Sequence, residues 1–222
     1  MKLYRLPSPL QAVAFDIDNT LYENANYAEM QQRVLLEALA EGLEVSPEEA
    51  RRRVEAYRQD YARSHEGRRP SLANASAALG FDISVSVQWR LDRIVPEDYL
   101  GDDPTLRKCL GDLAGRLALA ALTNNPEEIG RRSLRSLGVE EFFPVIIGLD
   151  TSGASKPSLL PFQLLGDRLR SPLSELLMVG DRYGVDLAPA LELGAGAVLV
   201  QSIEDTYALC ELLASCGSFG SS

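Results

Sequence analysis

The 222-residue chain carries one histidine and three cysteines. His65 stands alone in a polar stretch, so any catalysis is expected to run on carboxylates. Cys109, Cys210 and Cys216 are too few for a disulfide framework and lack the paired short spacing of a zinc site. They read as small buried thiols in a reducing cytoplasm. No window approaches the ~18 consecutive apolar residues of a membrane span, and Met1 to Pro9 has no apolar segment of signal-peptide length. A GxxxxGK stretch is absent, which excludes a P-loop nucleotide site, and Gly194-Ala195-Gly196 lacks the later glycine of a dinucleotide fingerprint. Positive charge is scarce too: 22 Lys+Arg face 32 Asp+Glu, a net charge of −10. That balance excludes a nucleic-acid polymer and an anionic membrane as partners.

What is present is an ordinary globular composition, 45% hydrophobic and 24% charged, long enough to bury a real core. Short apolar runs at 12–15, 117–122, 145–149, 176–179 and 197–200 have the length and content of buried strands. Helical patterns lie between them, at 126–137, 159–169, 187–193 and 203–213. The first of these has a capping-box-like start, with Asn125 as cap, Pro126 at the first helical position and Glu128 three residues on from the cap. Strands alternating with helices predict an α/β fold, a Rossmann-like parallel sheet with helices on both faces. The polar tail 215–222 reads as frayed.

One stretch breaks the alternation. From Tyr22 to Gly101 no buried strand is evident, while Tyr27, Met30, Val34, Leu35, Ala38 and Leu39 follow helical spacing. Ser46-Pro47-Glu48-Glu49 starts another helix, and 71–79 and 86–94 suit two more. The expected organisation is a core domain of residues 1–21 and 102–222, with an all-α domain of 22–101 inserted after the first strand.

Ligands of open α/β sheets bind at the carboxyl ends of the strands, so the polar residues there carry the argument. The first strand ends in Asp16-Ile17-Asp18-Asn19-Thr20, with two aspartates that share a face if the strand persists. The next ends in Thr123-Asn124-Asn125, directly before a helix. The third leads into Ser155-Lys156-Pro157, and the fourth ends in Gly180-Asp181, with Asp186 five residues later. Singly, such aspartates form turns or caps, Thr123 caps a helix, and Lys156 is a solvated charge. Together they offer carboxylates, a hydroxyl, a cation and backbone amides, which suits Mg²⁺ bridging carboxylates and phosphate. Lys156 is also one of only three lysines, a point charge in a chain that otherwise uses arginine.

In this order the motifs resemble the haloacid dehalogenase superfamily: DxDxT as Asp16 to Thr20, then Thr123, Lys156, and GDxxxxD as Gly180 to Asp186. The resemblance spans nearly the whole chain, and the insertion is similar to that superfamily's helical cap. Asn19 departs from the commoner glycine. The wording Asp-Ile-Asp-Asn-Thr-Leu-Tyr looks most like the pyrimidine 5′-nucleotidase and phosphoglycolate phosphatase branch. The resemblance implies a Mg²⁺-dependent phosphatase of a small phosphorylated substrate, a nucleoside 5′-monophosphate being one candidate. It implies Asp16 as nucleophile and Asp18 as acid/base. Metal would be held by Asp16, the Asp18 backbone carbonyl and Asp181, with Asp186 orienting from behind. Thr123, Asn124 and Lys156 would hold phosphate.

A helical cap would exclude water, with Tyr22 near its hinge. His65 and the turn Arg68-Arg69-Pro70-Ser71 could reach over the site, though a solvated loop is the plainer reading of each. Arg51-Arg52-Arg53 reads as a solvent face. Alternatives on the same scaffold are a phosphomutase, a haloacid dehalogenase, which needs no metal, and a non-catalytic phosphoacceptor or binding module. Asp18 and Asp181 argue against the dehalogenase, and the filled motif positions against the binding module.

Overall fold

The computed structural model describes residues 1–65 and 69–215. Arg68, Cys216 and the tail from 216 lie outside them. Six strands form one sheet: β1 (Lys2–Arg5), β2 (Ala12–Phe15), β3 (Ala118–Leu122), β4 (Val145–Ile147), β5 (Leu176–Gly180) and β6 (Gly196–Leu199). Their order is β1-β6-β5-β2-β3-β4, all parallel except β1, which runs antiparallel to β6. The chain thus has a strand ahead of the expected first one, and the helical insertion follows the second. Lys2-Leu3-Tyr4-Arg5 escapes a search for apolar runs because it is a largely exposed edge strand, and edges favour charge.

Each central strand is apolar throughout because both faces are covered. Side chains alternate between two cores. Val13, Phe15, Leu119, Ala121, Leu177 and Val179 enter one; Ala12, Ala14, Ala120, Leu122, Leu176 and Met178 enter the other.

The helices are α1 (Ala25–Leu43), α2 (Pro47–Ser64), α3 (Leu72–Ala78), α4 (Ile83–Arg93), α5 (Pro104–Ala114), α6 (Glu127–Ser136), α7 (Leu149–Ser152), α8 (Leu160–Leu169), α9 (Ala188–Glu192) and α10 (Ile203–Ser215). Helices α5, α6 and α10 cover the first face, through Leu110, Leu113, Ile129, Leu134 and Leu209. On the other face, α8 and α9 contribute Phe162, Leu165 and Ala190. Helix α5 is unanticipated, although Leu106, Cys109, Leu110 and Leu113 follow helical spacing.

Helix α6 corrects its expected start. Pro126, rather than Asn125, is the cap and no side chain caps the helix; the Asn125 amide is engaged elsewhere. At α2 the Ser46 hydroxyl does accept the Glu49 N–H.

Among the described residues, five helices and no strand lie between β2 and β3, and α1 to α4 pack together ahead of α5. Leu39, Val54 and Ala75 form a small core there, with Trp89 and Phe81 packed against it. The start of α1 belongs to the main core instead, through Tyr27 and Met30. Tyr27 stacks on Tyr99 and the Asn24 amide donates to the Tyr99 carbonyl at 2.8 Å, so the two crossings into and out of the insertion clasp each other. No described helix is long and apolar enough to cross a membrane.

Candidate active site

Strand β2 lies between β5 and β3. The chain proceeds to one side through β3 and β4, then returns to β5 on the other, which makes the crevice beyond β2 and β5 the topological switch point. Asp16 continues β2, its N–H donating to the Val179 carbonyl at 2.9 Å. Register therefore fixes the Asp16 carboxylate beside Gly180-Asp181 at the end of β5.

Lys156, from the turn after α7, reaches the same point and is fully buried. Its Nζ lies 2.6 Å from Asp16 Oδ1, 2.7 Å from Asp186 Oδ1 and 2.7 Å from the Leu122 carbonyl. Burial depresses an ammonium, but Asp16 and Asp186 outweigh that and hold Lys156 above its ordinary value. Lys156 is thus no solvated surface charge, the reading it would have singly; it is an internal counter-ion. Asn124 fixes it from outside, its Oδ1 accepting the Lys156 N–H at 2.7 Å and its Nδ2 donating to the Lys156 carbonyl at 3.2 Å. Both ends of Asn124 bond the Lys156 backbone, so it positions the lysine, and it also lines the cavity.

Carboxylate oxygens of Asp16, Asp181 and Asp186 lie within 4.8 Å of one another. Asp186 sits on a π-helical turn, Tyr183–Leu187, a local distortion common at functional sites. Its Oδ2 accepts the Arg182 N–H at 3.1 Å. Gly180 makes room for it: a Cβ there would stand 2.6 Å from the Asp186 Cβ. Asp16 Oδ2 and Asp181 Oδ1 are buried with no hydrogen-bond partner. Burial pushes Asp16 up to about 7 against the pull of Lys156, and burial also raises Asp181. Oxygen-only donors that ionise reluctantly and lack partners fit a hard divalent cation, whose charge reverses that penalty.

Thr123, at the end of β3, is buried; its N–H donates to the Ile147 carbonyl at 3.0 Å, and its Oγ1 accepts the Asn125 N–H at 3.1 Å. Asp18 is placed apart from the three-carboxylate cluster. Its Oδ1 accepts from the Tyr22 hydroxyl at 2.5 Å and from Gln31 at 2.9 Å, and its Oδ2 from the Asn125 amide at 3.2 Å. Asn125 also donates to Gln31 Oε1 at 2.9 Å. Burial, then Asp18, raises the Tyr22 phenol well above its ordinary value, so it stays a donor. Gln31 and the amide role of Asn125 went unseen in the sequence, as did Arg182. That arginine is half-exposed, 3.4 Å from Asp181 Oδ1 and 3.9 Å from Asp16 Oδ2.

A cavity of about 530 Å³ opens over these groups, walled by Gln31 and Leu35 of α1, Arg58 of α2, Arg90 of α4 and the Arg69-Pro70-Ser71 turn. His65 does not line it; the ring stacks on Tyr61 of its own helix. Arg51, Arg52 and Arg53 are exposed, as expected. Cys109 and Cys210 are buried free thiols.

The geometry has counterparts. The chain is 24% identical to a glyceraldehyde 3-phosphate phosphatase of Methanothermobacter thermautotrophicus, over 87% of this chain and 86% of that protein. It is 27% identical to a ribulose-1,5-bisphosphate 5-phosphatase of Halopiger xanaduensis, covering 89% and 87%. A haloacid dehalogenase-type phosphatase from Thermococcus onnurineus has the same fold, with a TM-score of 0.60 at 24% identity over 92% of this chain and 98% of that one. The family model of haloacid dehalogenase-like hydrolases matches residues 10–194. With that match running from the strand that bears Asp16 to beyond Asp186, the chain belongs to the haloacid dehalogenase-like hydrolase family.

Proposed function

We propose that the protein is a Mg²⁺-dependent phosphatase of small phosphomonoesters working through an aspartyl-phosphate on Asp16. The observation that carries the reading is Asp16 itself: one oxygen is tied to a buried lysine, and the other is buried without a hydrogen-bond partner in a cluster of three carboxylates. The relatives' names, phosphatases of glyceraldehyde 3-phosphate and of ribulose bisphosphate, support the substrate class. The helical segment 22–101 would act as the cap, in a reducing cytoplasm that suits the free buried thiols.

In this reading an Asp16 oxygen attacks phosphorus and the ester P–O bond breaks. Protonated Asp18 gives its proton to the leaving alkoxide. Water then attacks the phosphoaspartate, Asp18 takes the water's proton, and the P–O bond to Asp16 breaks to restore the carboxylate. Hydrogen bonds from Tyr22, Gln31 and Asn125 hold the Asp18 carboxyl in place at the cavity. Lys156 holds Asp16 in one rotamer and offsets charge on the phosphoryl oxygens. Thr123, whose Oγ1 accepts from the backbone, keeps its own proton for a phosphate oxygen. Asp16, Asp181 and the Asp18 backbone carbonyl would hold Mg²⁺, with Asp186 behind them, and the ion would supply charge neutralisation between nucleophile and phosphate.

Phosphate release from an aryl phosphate should require Mg²⁺, stop with EDTA and vanish in Asp16→Asn. Turnover surviving both treatments would refute the mechanism.

A further inference from the structure

Among the described residues five cations line the cavity: Arg58, Arg69, Arg90, Lys156 and Arg182. Four have carboxylate partners. Arg58 and Arg69 share Glu55, while Lys156 and Arg182 face the aspartates of the floor. Arg90 is the exception. It is 5% exposed, and among the described residues no carboxylate lies within 4.0 Å of its guanidinium. Its Nη1 donates to the Ser86 carbonyl at 2.9 Å and to the Ser86 hydroxyl. Its Nε is buried with no acceptor. Burial depresses it to about 10, and Asp18, already occupied by three neutral donors, only partly opposes this. A guanidinium at that value is still charged at neutral pH. Burying a charge without a counter-ion is expensive, and an acidic chain had carboxylates in surplus to place beside it.

We propose that Arg90 is the specificity residue for a second anionic group on the substrate, a carboxylate or a second phosphate, at the end remote from the reacting phosphate. The inference rests on the phosphatase reading for the position of that reacting phosphate. Arg90 is carried by α4 and borders the same cavity as Asp18 and Lys156, so one small molecule can span from the strand ends to the guanidinium. An arriving oxyanion satisfies the unpaired charge, and planar bidentate contact is what arginine offers and lysine does not. A neutral-ended ester leaves Arg90 buried and unpaired, and a site built around an unmet polar group discriminates strongly against such a ligand.

The test compares matched esters with the Mg²⁺-supplemented full chain. One pair is 2-phosphoglycolate against 2-hydroxyethyl phosphate, which differ in the carboxylate. The other is fructose 1,6-bisphosphate against fructose 1-phosphate, which differ in the second phosphate. In at least one pair the wild type should favour the anionic member by about tenfold or more in kcat/KM, chiefly through KM; which pair responds names the group. Arg90→Gln should bring that preference to within about twofold, and Arg90→Lys should keep part of it.

Equal kcat/KM within both pairs, in a wild type that turns over aryl phosphate, would overturn the inference and leave the phosphatase reading standing. So would an Arg90→Gln loss equal for anionic and neutral esters with a shifted kcat–pH profile, which would mean that Arg90 acts through Asp18. Should Arg90→Gln misfold by circular dichroism, the wild-type comparison and Arg90→Lys still decide. No aryl phosphate turnover at all would instead defeat the phosphatase reading itself.

Discussion

On the floor of the cavity, Lys156 is sealed between Asp16 and Asp186, while on its wall Asp18 is held by a phenol and two amides and Arg90 by no charge among the described residues. The floor is built from strand ends, where sheet register sets each position and opposite charges compensate one another. The wall joins Asp18 and Asn125, from the loops after β2 and β3, to helices and turns of the insertion. On it Arg58 and Arg69 pair with Glu55, while Asp18 and Arg90 make neutral hydrogen bonds. Charge matched internally gives a floor indifferent to which ester arrives; charge left unmatched gives a wall that responds to the ligand. Chemistry and selectivity are thereby divided between two parts of the chain that tolerate change differently.

The largest expected break in this contrast is Asp16→Asn, which removes the nucleophile while keeping the shape. Single-turnover phosphate release should fall by about a thousandfold or more, with the circular dichroism spectrum retained. Lys156→Met tests the floor as a charge assembly. Stripping one partner from a buried pair should cost about 3–5 kcal/mol in urea unfolding of the metal-free protein. Millimolar Mg²⁺ should then raise the variant's midpoint by more than the wild type's, because ligand binding to the folded state is stabilising. A variant as stable as the wild type without metal would show that Lys156 is no counter-ion.

Gly180→Ala is a smaller assault on the same place. The added methyl must displace Asp186, and overpacking should cost about 1–3 kcal/mol, read as a lower urea midpoint together with weaker Mg²⁺ activation. On the wall, Asn125→Ala removes one neutral donor from Asp18. A fall in kcat of about tenfold is expected, with stability little changed, since Asp18 loses one of the bonds that orient it. An unchanged kcat would detach Asn125 from the positioning of Asp18. The smallest effect belongs to Arg53→Ala on the exposed face of α2, whose ion pair with Glu49 is solvated; thermal unfolding should show no measurable shift.

Much of the floor was legible because its information is local. An apolar run fixes a strand, the strand's end fixes where the next polar side chain emerges, and Asp16, Thr123 and Asp181 follow. Lys156 and Asp186 could be nominated from the same ends, but not their burial or their mutual contact. Asn125 shows the limit from the other side. Beside Pro126 and ahead of a helix its residue type spells a cap, yet its amide bonds Asp18 and Gln31, two partners far away in the chain. Nothing in the spacing of Gln31 or Arg90 sets them apart from other polar residues of amphipathic helices.

What the sequence determined by itself was the alternation of elements, the all-helical insertion and the residue types presented at the strand ends, because periodicity and chain order encode these. Tertiary structure alone decided that Asp186 joins Asp16 and Asp181, that Lys156 neutralises them from inside, that an edge strand precedes the rest, and that Arg90 borders the cavity with no carboxylate partner among the described residues. Those are distances between residues remote in sequence, set by how helices pack on the sheet, and a linear pattern carries no record of them.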